Sequence, residues 1–389
     1  MKNLKTIILI LTSVLLIMFS SEVYAEASGE EDIEEEIKRQ LEGIDFSDWD
    51  GYFEEIAASG SVNAGSITEY VFRLVDSGTS ENPGSIFDTV VLMIKNEFRK
   101  TAGASALLVS SAILTCFSVV IPDEGVKKTL SVALCASSVI ISVGMLGSYI
   151  TVAEKTMTSM SDLSEKTAPI ISASLAAVGS GASLRIFSPV FTLLNHGVIM
   201  TVKRIVLPLV VAFGVLSGVS VITEGERLDG LISFLRKSVK WILGLISTVY
   251  FGVIAVNGLT AGARDGVMIR TSKYALGKMV PIVGGMIGGT VDSVMGCALL
   301  VKNGIGVCAM LILLFKIAKP VIVLASGAFV FRVSAAVSGA ASDKRVVKLY
   351  KCCAETVTNL FACVAVSGAM FLLTILMILA SGGIAAGLW

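Results

Sequence analysis

Apolar positions along the chain fall into two regimes. Between residues 33 and 53 they are periodic: Ile33, Ile37, Leu41 and Ile44 stand four, four and three apart, the spacing that places side chains on one stripe of a helix. Phe46, Trp49, Tyr52 and Phe53 continue the apolar positions. Ser66-Ile67-Thr68-Glu69 and Ser85-Ile86-Phe87-Asp88 read as capping boxes that open two further helices, the second after the breaker Asn82-Pro83-Gly84. From Ala102 onward the apolar residues run together in blocks instead. Blocks of roughly 17 to 25 residues are the length of a membrane helix, and they lie near 102–121, 130–152, 186–202, 205–222, 241–262 and 358–380. Two more, 304–318 and 320–338, are divided by Lys319-Pro320, and the glycine-rich run 280–301 is a ninth candidate. The small, serine-rich stretch 167–184 reads as an interfacial or re-entrant piece. The expectation is an all-α polytopic membrane protein of seven to nine spans.

Composition agrees, because 54% of the 389 residues are hydrophobic and only 16% charged, against roughly 25% charged in soluble domains. Residues 1–25 read as a signal peptide: Lys2 and Lys5 precede an apolar core from Ile7 to Phe19, and Val23-Tyr24-Ala25 supplies the small-residue cleavage pattern, with the cut between Ala25 and Glu26. An uncleaved anchor is the alternative, and either way residue 26 starts on the outer side of a membrane. From Glu26 to Asp88 there are 17 acidic residues against Lys38, Arg39 and Arg73, and no cysteine. The division is therefore 1–25 signal peptide, 26–100 acidic extracytoplasmic helical region and 101–389 membrane domain. The apolar stripe of the acidic region is either a docking face for a partner or packed locally and on the membrane surface.

Lys and Arg accumulate in cytoplasmic loops, so 263–279, with Arg264, Arg270, Lys273 and Lys278, and 341–351, with Lys344, Arg345, Lys348 and Lys351, are both expected inside. Three apolar candidates between them break the required even count. Segment 280–301 is the expected re-entrant one, since glycines and a charge are tolerated at membrane depth where protein shelters them. The cluster Arg236, Lys237 and Lys240 fits this count less well.

Gly284 and Gly288, like Gly285 and Gly289, stand four apart, as in helices that approach closely in membranes. They form no Walker loop, because Gly289 is followed by Thr290 rather than lysine. Asp292, two turns beyond Gly285, is a candidate intramembrane polar site. Its bland alternative is pairing with Lys302, Arg332 or a backbone donor. Lys302, Lys316 and Lys319 also fit snorkelling near span ends. The single histidine, His196 beside Asn195, excludes HExxH chemistry and gives no triad support. Cys116, Cys135, Cys297, Cys308, Cys352, Cys353 and Cys363 contain no C-x-x-C pair and read as core residues. No catalytic residue, metal, cofactor or nucleic-acid partner is expected.

The tract Ala261–Leu314 carries GVxxRTxKYAxGxxxPxVGG from Gly266 to Gly285, then D-S-V-x-x-x-x-x-L-V-K-N-x-x-G from Asp292 to Gly306. It resembles the stage III sporulation protein AE family. That resemblance implies an integral, non-enzymatic subunit of a channel or feeding complex, in the mother-cell membrane around the forespore during endospore formation. Its partners would be other membrane proteins of that complex, lipid, and a second copy of the chain if it self-associates. The alternative is a transporter moving a small solute or ion along a path that includes Asp292.

Overall fold

The computed structural model describes residues 30–58, 67–76, 95–97, 99, 103, 106–117, 122–177, 192–222, 228–279, 284–339 and 344–386. Side chains are described throughout these except at 30–34, 55–58, 73–76, 177, 192–193, 221–222, 257–295 and 380–386. The signal-peptide residues, Ala25 and Glu26 among them, and the capping box at Ser85 lie outside this set. Among the described residues every regular element is a helix. Three short ones come first: α1 Glu30–Glu42, α2 Ser47–Ala58 and α3 Ile67–Asp76. The apolar α4 is Ala106–Phe117. Then come α5 Glu124–Ala177, α6 over 192–222, α7 Asp229–Met279, α8 Gly284–Gly339 and α9 Lys344–Ala386.

The five last helices are each long and apolar enough to cross a membrane, which confirms the all-α membrane class; among the described residues these five are fewer than the seven to nine spans expected. The reason is that several apolar blocks join. Residues 284–301, 304–318 and 320–338 belong to α8, one helix of 56 residues that passes through Pro320. From Gly284 the glycine-rich segment thus opens a continuous helix instead of folding back. Pro320 is buried there, and neighbouring helices can satisfy the carbonyl that a proline frees. Residues 263–279 are likewise the last turns of α7, so they and the start of α9 sit at opposite ends of a single helix. Residues 167–177 complete α5. The two blocks on either side of Lys203-Arg204 also join, through π-helical turns at Thr192–His196 and Val202–Val206. Pro208 follows the second turn, and a residue without an N–H cannot keep the tight register behind it.

At 1.5 Å per residue α8 is about 84 Å long, far more than the ~30 Å of hydrocarbon in a bilayer. Helix α9 is the hub. It runs antiparallel to α8 and also packs on α5, α6 and α7. Its buried positions Val346, Tyr350, Cys353, Val357, Leu360 and Val364 recur every three or four residues, and this seam continues through Phe371, Ile375 and Ile378. Four glycines mark the closest crossings. A Cβ at Gly306 would enter Leu379, at Gly327 the Tyr149 ring, at Gly368 Ile317 and at Gly214 Thr356.

The acidic region packs locally. Ile37, Leu41, Phe46, Trp49, Phe53, Ile67, Tyr70 and Val71 are all buried and join the main core, with Ile44 and Tyr52 packed at its edge. The three helices dock against α8. Tyr52 sits between two cations, Lys316 of α8 at 4.9 Å and Lys166 of α5 at 5.3 Å from the ring centroid, and Lys166 also meets Asp48 at 3.7 Å.

Candidate functional site

Apolar helices bring together three sets of polar groups, two of them inside the bundle. The first is at the meeting of α6, α7 and α9. Asn195 on the first π-turn is 2% exposed, and its Oδ1 accepts from the Thr374 hydroxyl at 3.1 Å. Tyr250 of α7 donates to the Met370 carbonyl, and its oxygen lies 2.6 Å from the Thr374 hydroxyl, which has both Asn195 Oδ1 and the Met370 carbonyl as acceptors. Tyr250, Thr374 and Asn195 thus form one polar cluster across three helices. The Asn195 amide nitrogen has no acceptor in the structure. His196, the next residue, points to α5, with Nδ1 3.4 Å from the Glu165 carboxylate.

The second set is Lys302. It is 2% exposed and donates to the carbonyls of Leu379 at 3.0 Å and Ile378 at 3.4 Å. A buried ammonium needs such acceptors to offset its lost hydration. Gly306, one turn further on, lets α9 approach closely enough to offer them. The third set lines the other end. Lys348 Nζ is 3.4 Å from Asp229 and 3.5 Å from Ser220, Arg236 pairs with Glu355 at 2.7 Å, and Arg332 donates to Thr358 at 3.0 Å. Arg236 also stacks over Phe213. Partners from α6, α7, α8 and α9 are thereby held in register.

The glycine run and Asp292 fall on the first turns of α8, and their side chains lie outside the described residues. Asp292 and its alternative partners Lys302 and Arg332 stand ten and forty residues apart along α8. Among the described residues the close crossings made by glycine are at 214, 306, 327 and 368, which no doubled motif announced. Asn195 and Arg236 were visible in the sequence as polar residues among apolar ones. Their partners Thr374 and Glu355 lie more than a hundred residues away and carried no local signal. All seven cysteines are free thiols. Among the described residues no three His, Cys, Asp or Glu side chains gather as a metal site.

The family model described as Stage III sporulation protein AE matches residues 66–382, from the start of α3 nearly to the end of α9. The chain belongs to the stage III sporulation protein AE family. It is 31% identical over 216 residues to the Stage III sporulation protein AE of Bacillus subtilis (strain 168), an alignment covering 56% of this chain and 54% of that protein. The chain thus matches about half the length of this relative. No solved structure matches. In this AE-family chain the polar sets described above fall inside the matched region, and each joins different helices.

Proposed function

We propose that the chain is a non-enzymatic membrane subunit of the channel complex between mother cell and forespore, located in the mother-cell membrane, with its acidic N-terminal region on the outer side. The observation that carries this reading is the family match over the whole helical bundle. The polar groups support it, since ion pairs and polar clusters that tie four helices together suit a scaffold, whereas a nucleophile with a positioned base is what acyl or phosphoryl chemistry would need. Its partners are other membrane proteins of the complex, lipid, and further copies of itself.

The test is a tagged full-length chain in its own sporulating host. Enrichment at the membrane around the forespore, recovery with other sporulation membrane proteins in mild detergent, and loss of spores on deletion are expected. Uniform distribution with normal spore yield after deletion would refute the reading. Replacing Asp292→Asn should leave spore yield unchanged; lost yield with an intact complex would assign a solute path to that carboxylate instead.

A further inference from the structure

We infer that the seam between α5 and α8 is a water-binding pocket, lined by four serine hydroxyls and entered from the end where α8 turns toward α9. Two sets of contacts fix the register of these helices. Tyr149 of α5 lies over Gly327 and against Phe331 of α8, while Lys166 and Lys316 share the Tyr52 ring. Residue numbers rise along α5 as they fall along α8, so the two run antiparallel. Ser142 and Ser138 stand seven and eleven residues before Tyr149, and Ser334 and Ser338 stand seven and eleven after Gly327. Both intervals return to the same face of a helix, so Ser142 is placed opposite Ser334 and Ser138 opposite Ser338, roughly 11 and 17 Å from the aromatic contact.

Small side chains alone would make this a packing seam; the state of the hydroxyls makes it a site. All four serines are 0% exposed, and none of their oxygens has a hydrogen-bond partner among the described residues. Other hydroxyls on the same helices bond back to their own backbone: Ser137, Ser148, Thr151 and Ser174 on α5, and Ser326 on α8. That bond is open to any helical serine, so the four orphans are turned away from it and into the seam. A buried hydroxyl without a partner is unfavourable, and facing pairs are relieved together by a ligand that both donates and accepts. No charged residue lies on either stripe, so the ligand is uncharged, and water is the smallest molecule that meets both conditions. The packed seam is the closed form of the pocket. The Tyr149 ring ends it, seated where Gly327 has no side chain, and Ser338, next to the last residue of α8, lies at its mouth. Helix α5 admits water by moving outward, since Ile140, on its opposite face, is exposed. The inference concerns the interior of the bundle and stands or falls apart from the channel reading.

The full-length chain, purified in detergent so that both ends are reachable, is tested with 2-aminoethyl methanethiosulfonate, a small water-borne reagent that attacks ionised thiols. Ser142→Cys and Ser334→Cys each place a thiol in the pocket. Peptide masses read every cysteine separately, so the native Cys353 and Cys363, buried in the apolar core, are references within the same molecule. Both new thiols are expected to react roughly tenfold faster than the references or more, because only a hydrated thiol ionises readily. A smaller ratio at either position overturns the inference. Should neither variant fold, the melting temperature of the chain carrying Ser142→Ala with Ser334→Ala decides. Loss of bound water lowers it; an unchanged value, or the rise that removing dry orphan hydroxyls would give, overturns the inference.

Discussion

At Gly327 the absence of a side chain is a packing requirement. The Tyr149 ring lies where a Cβ would be, and it is held there against Phe331 with ring centroids 6.3 Å apart. Gly327→Ala should therefore destabilise the bundle by about 1–3 kcal/mol, the usual cost of overpacking. Gly252, with open space around its missing Cβ, is the control. Gly252→Ala should be neutral or stabilise by up to about 1 kcal/mol through helix propensity, as thermal unfolding in detergent will show. The polar cluster gives a second expectation. Thr374→Val would leave the Asn195 side-chain oxygen without its donor, at about 1–3 kcal/mol for a buried group, while Tyr250 keeps the Met370 carbonyl. Tyr250→Phe, which keeps the Thr374 bond to Asn195, should cost nearer 1 kcal/mol. If the two variants melt together, leaving the Asn195 oxygen without its donor has no cost of its own.

At the scale of elements, charge pairs set register more than stability. Arg236 and Glu355 are 39% and 47% exposed, so solvent or headgroups screen their attraction. A double-mutant cycle of Arg236→Ala and Glu355→Ala should return a coupling of about 1 kcal/mol or less. A coupling several times larger would mean that the pair lies in hydrocarbon. The entry to α2 has a different dependence. Asp45 accepts the Ser47 N–H at 3.0 Å, and that bond holds its carboxyl below the ordinary value of 3.8. A depressed carboxylate stabilises above its unfolded pKa and loses that contribution as pH falls through the lower folded value. Docking of α2, read from the fluorescence of the buried Trp49 with Trp241 and Trp389 replaced, should be unaffected by Asp45 from pH 8 to 5. It should weaken only below about 4. A transition near neutrality would locate the controlling group elsewhere.

For the whole molecule, the membrane class and the amphipathic N-terminal stripe were legible because each is a one-dimensional signal: block length in one case, a spacing of three to four in the other. Ile37, Leu41, Trp49 and Phe53 are buried as that spacing requires. Helix ends were less legible. Lys203-Arg204 and Lys319-Pro320 look like breaks when judged by hydropathy, yet a helix carries such residues where a neighbour, a π-turn or a long side chain deals with them. The same limit governed the polar site. A sequence exposes Asn195 as anomalous but not Thr374 as its partner, since their contact is made only when α6 and α9 are laid antiparallel. Between residues 284 and 339 one rod takes the place of three separate apolar blocks.

That rod has a mechanical implication. The acidic helices grip one stretch of α8 while its far end meets α4 and α9 about fifty residues away from its first turn, and no break absorbs motion between them. A ligand that pried α1–α3 loose would change the bending load on a lever several nanometres long, with Pro320 as its weakest point. Any displacement at the grip of α1–α3 is thereby delivered to the far end of α8 as tilt, without a relay of intermediate side chains.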